Sequence, residues 1–467
     1  MFKRNLQQKR FKKIASVMNI RGEKSLPLLP VLLAAFTIFP AFAGYLHAGT
    51  PPRTGTAGLE LAIENLRVSI LEHEEAMPSL GPGGDSSGDQ WVFAEQLLQN
   101  GLPSRAIPVL ERLVAGNENE RDTRRAWEAL QRAYYDQGEY QRSLGAFFKI
   151  AINREETLAP GAVLLAGNSY LEIGEYGPAV QLLKQVPKDD RLYPFALYSL
   201  GLAGIRSAQE RSEVLKPLKK LIRRDSEGDR LLEDLINRAR LTAGRYLGNQ
   251  GAYSDSVAMF ATVDPASRYR PAALYGMGTA FISMKDRIKA LVVFEELARD
   301  FPVSPYGLEA SVRIGRCFAR LNAYRTSVDR YRNAIRVLTD EKTFLEDMNL
   351  KVKNKEPISA EVLYPRFFSG EGDVGLANRV SWSEGIHELR ELRVRLSRIE
   401  ADVKAGTVTG KRVSGVKKTR KELDAVFARV LTGRIDNRIS WIEDLIQDGT
   451  LQVAKNIVLI ESYDPSP

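Results

Sequence analysis

The segment LYGMGTAFISMKDRIKALVVFEELARDFP, residues 274–302, decides the fold. Leu274, Met277, Gly278 and Phe281 lie at helical spacing, a short polar stretch follows, and Ala290, Phe294 and Leu297 resume the helical pattern before Pro302. The reading is helix, turn, helix. A small residue inside the first helix lets the second approach closely, and the large residues of the second fill the space between neighbouring pairs.

Working outward, the same arrangement recurs from Trp91 to about Leu338, with helical patterns of 12–15 residues and Gly- or Asn-containing turns. Aligning the small position of the first helix gives Gln131, Gly167, Gly201, Gly244, Gly278 and Gly315, at spacings of 36, 34, 43, 34 and 37. A period near 34 marks one helix pair per repeat, and because one pair cannot bury its apolar face alone, the pairs must stack. The unit Pro194–Ile222 lacks a clean turn glycine and is followed by the long spacing, which predicts a lengthened second helix or an inserted loop around Arg223–Asp229.

The residues at fixed places in these units resemble the tetratricopeptide family. That family puts Trp or Leu, Leu, Gly and Tyr on the first helix, Gly in the turn, and Ala, Phe and Ala on the second. Trp127, Leu130, Tyr134, Gly138, Ser143 and Phe147 follow it, as do Gly167, Tyr170, Gly174, Ala179 and Leu183. Ala243, Gly244, Gly251, Ser256 and Phe260 form another unit, and Ile314, Gly315, Phe318, Ser327, Tyr331 and Ala334 the last. A half-match opens the series at Gly101, Ala106, Leu110 and Leu113. The resemblance implies an all-α, right-handed α-solenoid of helix pairs. The stretch from Phe294 to Tyr306 also resembles repeats of Gram-negative periplasmic proteins, of the outer-membrane assembly lipoprotein and cell-division coordinator types. A lipid-attachment cysteine, present in the former type, is missing here.

The flanks are read differently. Residues 1–43 form a secretory signal by composition: a basic stretch, an apolar run Leu26–Phe39 broken by Pro27 and Pro30, and a small-x-small cleavage site between Ala43 and Gly44. Met18 offers a second start. Of the net charge of +9, these 43 residues hold eight basic side chains against Glu23, so the other 424 residues carry about +2. The basic character therefore does not point to nucleic acid. Residues 44–77 contain an amphipathic helix with a Leu59, Ile63, Leu66, Ile70 stripe, and 78–90 read as a flexible linker. The solenoid is assigned to 91–338.

Past Leu338 the period is lost, and 339–467 are read as a C-terminal helical region. Thr339–Lys355 suits a charged helix. Ser383–Lys404 and about Val416–Gln447 suit two further helices, the second bent near Gly433, joined by a basic loop Gly406–Lys421. Leu389, Leu392, Leu396 and Ile399 make one apolar stripe; Leu423, Phe427, Val430 and Leu431 make another. A hairpin that packs on itself or caps the last repeat accounts for both.

Residues that carry catalysis are sparse. The three histidines are His47, His73 and His387, and Glu384, His387, Glu388 and Glu391 on one helical face lack a second histidine set and sit among arginines. The Gly406–Arg412 stretch misses the phosphate-loop spacing and ends on Arg412 instead of Ser or Thr. Cys317, the single cysteine, reads as a buried small hydrophobe. No cofactor or metal site is assigned. The expected activity is binding, along the inner face formed by first helices: Arg125, Glu128, Arg132, Tyr135, Asn168, Tyr198, Arg238, Arg245, Tyr275 and Arg316. Arg and Tyr are frequent binding anchors, and this set suits an acidic segment, a chain-terminal carboxylate or a polyanionic glycan, unless neighbouring acids consume it. Lys411, Arg412, Lys417 and Lys418 add a possible contact for anionic lipid, glycan or an acidic partner. The chain is accordingly read as a periplasmic scaffold for envelope proteins or peptides. A glycan- or peptidoglycan-associated protein, enzymatic through its C-terminal region, and a membrane-anchored assembly factor with an uncleaved N-terminus are the competing readings.

Overall fold

The structure, a computed structural model, describes part of 63–70, the helices between Ser87 and Asn354 apart from short connections, Arg366, scattered positions from Leu389 to Lys404, and Lys411–Tyr463. Every regular element among these residues is a helix. The signal region, including Ala43 and Gly44, and the His387 cluster lie outside the described residues.

The chain divides into two compact units, Met1–Ala166 and Gly167–Pro467. In the first, α1 (Ser87–Gln99) and α2 (Pro103–Gly116) form a pair, followed by α3 (Glu120–Asp136) and α4 (Tyr140–Ile152). Helix α1 begins at Ser87, inside the stretch 78–90 read as linker, and the earlier part of that stretch lies outside the described residues. Val68 packs with Ala94, Leu97, Leu110 and Leu130 in one apolar cluster, and Ile63, Leu66 and Ile70 are also buried. Three of the four residues of the stripe expected on the short N-terminal helix are therefore covered within the chain, and Leu59 lies outside the described residues.

Helix α5 (Pro160–Glu172) crosses the unit boundary. In the second unit its partner is α6 (Tyr176–Leu183), and the pairs α7 (Tyr193–Arg206) with α8 (Arg211–Ile222), and α9 (Arg230–Asn249) with α10 (Tyr253–Ala261), follow. Then come α11 (Arg270–Ser283) with α12 (Arg287–Asp300), and α13 (Pro305–Arg320) with α14 (Tyr324–Lys353).

Two local features make the pairs alike. The turn residue two places before each second helix is left-handed at Gly138, Gly174, Gly251, Lys285 and Asn322, with φ between 61° and 85°. Each turn is closed by the same bond, the next residue's N–H reaching back five: Glu139 to Tyr134, Glu175 to Tyr170, Ala252 to Leu247, Asp286 to Phe281 and Ala323 to Phe318, at 2.8–3.0 Å. The second feature is steric. A Cβ added to Gly167, Gly201, Gly244, Gly278 or Gly315 would lie 2.4–2.8 Å from Leu183, Leu218, Phe260, Phe294 or Tyr331, one large side chain per pair. Where the fourth residue of the second helix is Ser, its hydroxyl bonds a first-helix carbonyl: Ser143 to Gln131, Ser256 to Gly244 and Ser327 to Gly315, at 2.7–2.9 Å.

The irregular unit has a physical cause. Helix α8 is not lengthened; the extra residues form the loop 223–229, with Glu227 and Gly228 both at positive φ, and extend α9 to 20 residues. Asp229 caps α9 by accepting the N–H groups of Leu231 and Leu232.

The C-terminal region corrects two expectations. Helix α14 runs unbroken from the last repeat through the segment read as a separate charged helix, because Leu345, Met348 and Val352 continue the buried stripe of Tyr331, Ala334 and Leu338. The residues from Lys411 to Tyr463 form one 53-residue helix, α15, so Lys411–Lys421 are helical, not a loop, and no break occurs at Gly433. Both predicted hairpin stripes are buried, Leu389, Leu392, Leu396 and Ile399 on one side and Leu423, Phe427, Val430 and Leu431 on the other. The C-terminal half of α15 lies antiparallel on α14. Asn456 bonds Ser327 (2.8 Å), Gly449 faces Ile335, Glu443 pairs with Lys342 (2.7 Å), and Asn349 bonds Asp436 (2.6 Å). It also touches α13, so it occupies the place that the first helix of a following pair would take.

Candidate partner-binding face

Within the second unit, successive first helices touch one another: α7 with α9, α9 with α11, and α11 with α13. Successive second helices make no comparable contact, so the first helices line the inner side of the stack.

The side chains singled out from sequence on this side bridge neighbouring first helices. Tyr198 on α7 is 2% exposed, its hydroxyl lies 3.2 Å from that of Thr242 on α9, and the Arg238 guanidinium stands 5.3 Å from its ring centre. Arg245 on α9 donates to the hydroxyl of Tyr306 on α13 at 3.3 Å. Tyr275 on α11 donates its hydroxyl proton to Glu309, stacks obliquely on Tyr306 at 5.5 Å, and lies under Arg313 at 4.9 Å. Arg313 itself holds Glu309 through two bonds, of 3.0 and 2.6 Å. Burial, reinforced by the hydrogen bond to Glu309, pushes the Tyr275 hydroxyl well above the usual tyrosine range, and the Arg313 charge offsets part of that. The phenol is a neutral hydrogen-bonding group at any physiological pH.

Arg316 is engaged differently. It donates to Asp448 of α15 at 2.7 Å, so the chain's own C-terminal helix occupies the last position of the row. Asn168, on α5, is buried rather than surface-lining, and its Oδ1 has no hydrogen-bond partner among the described residues.

In the first unit, the predicted residues on α3 are more exposed. Arg125 faces solvent, Glu128 is held by Arg124 at 3.1 Å, and Arg132 and Asp136 approach to 3.7 Å. Tyr135 meets Tyr140 edge-on at 5.5 Å.

Sequence reading missed Thr242, Tyr306, Glu309 and Arg313. The last three precede Arg316 on α13 at helical spacing, so the face could have been extended backward from the one residue identified. Cys317 lies beside this row yet is 1% exposed, and burial pushes its thiol up to about 11. It stays protonated, as a small apolar core residue should.

The arrangement offers guanidinium and phenol groups at intervals of one helix pair. Arg binds carboxylates through paired N–H groups, and Tyr supplies rigid area with a polar tip.

The repeated left-handed turn, the glycine facing one large side chain and the stacked first helices define an all-α solenoid of helix pairs, the architecture that tetratricopeptide repeats adopt. No protein-family model and no curated protein matches the sequence. Among solved structures, a tetratricopeptide repeat protein from Parabacteroides merdae is 16% identical with a TM-score of 0.38, covering 54% of this chain and 93% of its own. A Rap protein in complex with competence and sporulation factor is 13% identical with a TM-score of 0.31, covering 81% and 99%. The C-terminal part of a repeat protein from Cytophaga hutchinsonii is 13% identical with a TM-score of 0.31, covering 69% and 98%. The class rests on the repeat geometry.

Proposed function

We propose that this chain is an exported scaffold that holds envelope proteins or peptides, and that the inner face of its second unit takes an acidic segment. The observation that carries the reading is the Arg316–Asp448 pair, in which the row already receives a carboxylate presented by a helix. Arg238 and Arg245 continue that row toward the N-terminal side, with the half-buried Tyr275 and Tyr306 beside them; Tyr198 is buried and Arg313 already holds Glu309, so these two support the face without lining it. Export rests on the signal pattern of residues 1–43, and the envelope as the partner's compartment follows from it.

Site-specific photo-crosslinking in cells tests this. A photoreactive residue at Arg245 or Tyr275 is expected to trap protein, and one at Val292, an exposed position on α12, is not. Adducts only from Val292, or recovery of glycan without protein from the inner face, would sink the scaffold reading. Sequencing the mature N-terminus tests export separately, with Gly44 expected.

A further inference from the structure

The C-terminal region carries a second surface, distinct in place and chemistry from the inner face. The antiparallel register of α15 on α14 sets Asp436 beside Asn349, which places the end of α14 at Lys353 level with about residue 432. The first 20 or so residues of α15 therefore run on past α14, ~30 Å of helix at 1.5 Å per residue. They are paired with the helical residues of 389–404. Arg420 holds Glu400 through two bonds, of 2.8 and 2.6 Å, and Ser397 through a third, around a core of Leu392, Leu396, Ile399, Val416, Leu423 and Phe427. The result is a two-helix arm whose far end is the connection between Lys404 and Lys411.

Charge is concentrated at that end. Residues 401–421 hold seven basic side chains against Asp402 alone, so apart from this segment and residues 1–43 the chain is net acidic. Lys404, Lys417, Lys418 and Lys421 are exposed, and Glu422 stands 3.8 Å from Lys418. Arg420, by contrast, is committed to the arm's own structure. What faces outward is lysine, a strongly hydrated point charge without the planar fork that arginine uses for specific carboxylate pairs. The segment 401–421 contains no aromatic residue, so it lacks both the anchors that dominate protein interfaces and the stacking platforms that hold single-stranded nucleic acid. A diffuse basic surface of this kind fits a diffuse anionic one. Among the described residues no helix is long and apolar enough to cross a membrane.

We infer that the tip of this arm docks on anionic lipid headgroups and carries the helix stack at a distance from the membrane set by the arm. Each lysine near such a surface contributes about 1 kcal/mol, so neutralising four is expected to lower partitioning by at least ~100-fold. Co-sedimentation of the full chain with phosphatidylcholine vesicles, with and without phosphatidylglycerol, reads this directly. The full chain should bind only the anionic vesicles, less as salt rises. Changing Lys404, Lys417, Lys418 and Lys421 to Gln should abolish most of the binding with an unchanged circular dichroism spectrum, since all four are exposed. Changing Lys9, Arg10, Lys12 and Lys13 to Gln controls for the basic N-terminus and should leave binding in place. Equal binding to both vesicle types, an unaltered arm variant, loss confined to the N-terminal variant, or capture of an acidic protein by the tip without vesicle binding would each overturn the inference.

Discussion

The interior pairs and the terminal contact of α14 with α15 solve the same problem, packing one helix on the next, by opposite means. Inside the stack the fit is steric. Gly201, Gly244, Gly278 and Gly315 each lie against a single large side chain, with no room for a methyl group between. At the end of the stack a buried apolar stripe, Leu338, Leu345 and Met348 on α14 with Ile435 and Ile442 on α15, is fixed in register by polar pairs: Asp448 on Arg316, Asn456 on Ser327, Glu443 on Lys342, Asp436 on Asn349. A shape that must be met at every junction has to be simple and repeatable, so it takes the form of one absent side chain. A junction made once can use whatever groups its two faces supply. The interior should therefore respond to volume and the terminus to charge.

The largest test of this contrast is at Glu341. It is 5% exposed, holds Arg366 through bonds of 2.9 and 3.0 Å, and lies 3.8 Å from Arg438 of α15, which also donates to the carbonyls of Val303 and Arg366. Glu341→Ala leaves two largely buried guanidinium groups without their carboxylate, at a cost of about 3–5 kcal/mol. Hydrogen exchange should show the loss as faster exchange in α15 while α9–α12 keep their protection. Uniform acceleration throughout the second unit would mean that the terminal contact is not a separable junction.

Next in size is Gly244→Ala. The Phe260 ring would meet the new methyl at 2.5 Å, and its opposite edge already lies close over Gly276, which leaves it little room to retreat. Ring or backbone must shift, which costs about 1–3 kcal/mol by overpacking. A denaturant midpoint equal to that of the unaltered chain would show that the small positions tolerate volume, removing the basis of the steric half of the comparison.

This contrast also explains which parts of the molecule could be read beforehand. Gly244 with Phe260 and Gly278 with Phe294 stand 16 residues apart in each unit, so the interior code is visible as a period. The loop at 223–229 was legible as a departure from it. The cap was not legible in detail: Asp448 meets Arg316 across 132 residues, and nothing in either neighbourhood announces the other. Gly406–Lys421 reads as a loop because its charge and its three glycines look like a connection. In the arm, Val416 and Leu423 face a partner helix and carry the helix through the charged stretch. The inner face is half legible, since the positions of Arg245 and Tyr275 follow from the repeat but Glu309 and Arg313, which pin Tyr275, belong to the next pair.

The smallest predicted effect has the opposite sign to that at Gly244 and uses the same substitution. Gly433 lies within α15 and has no atom within 4 Å of where its Cβ would be, and its φ is not in the left-handed region. A bend there would have made the glycine structural, but the helix passes through it unbroken. Its remaining contribution is to the unfolded chain, where glycine has more conformations to lose than alanine. Gly433→Ala should therefore stabilise α15 by about 0.5–1 kcal/mol, slowing hydrogen exchange around residues 430–440. A loss of stability would show that the helix flexes at this point in solution, so that the arm hinges where it leaves α14 and the terminal region needs its glycine as much as the interior needs Gly244.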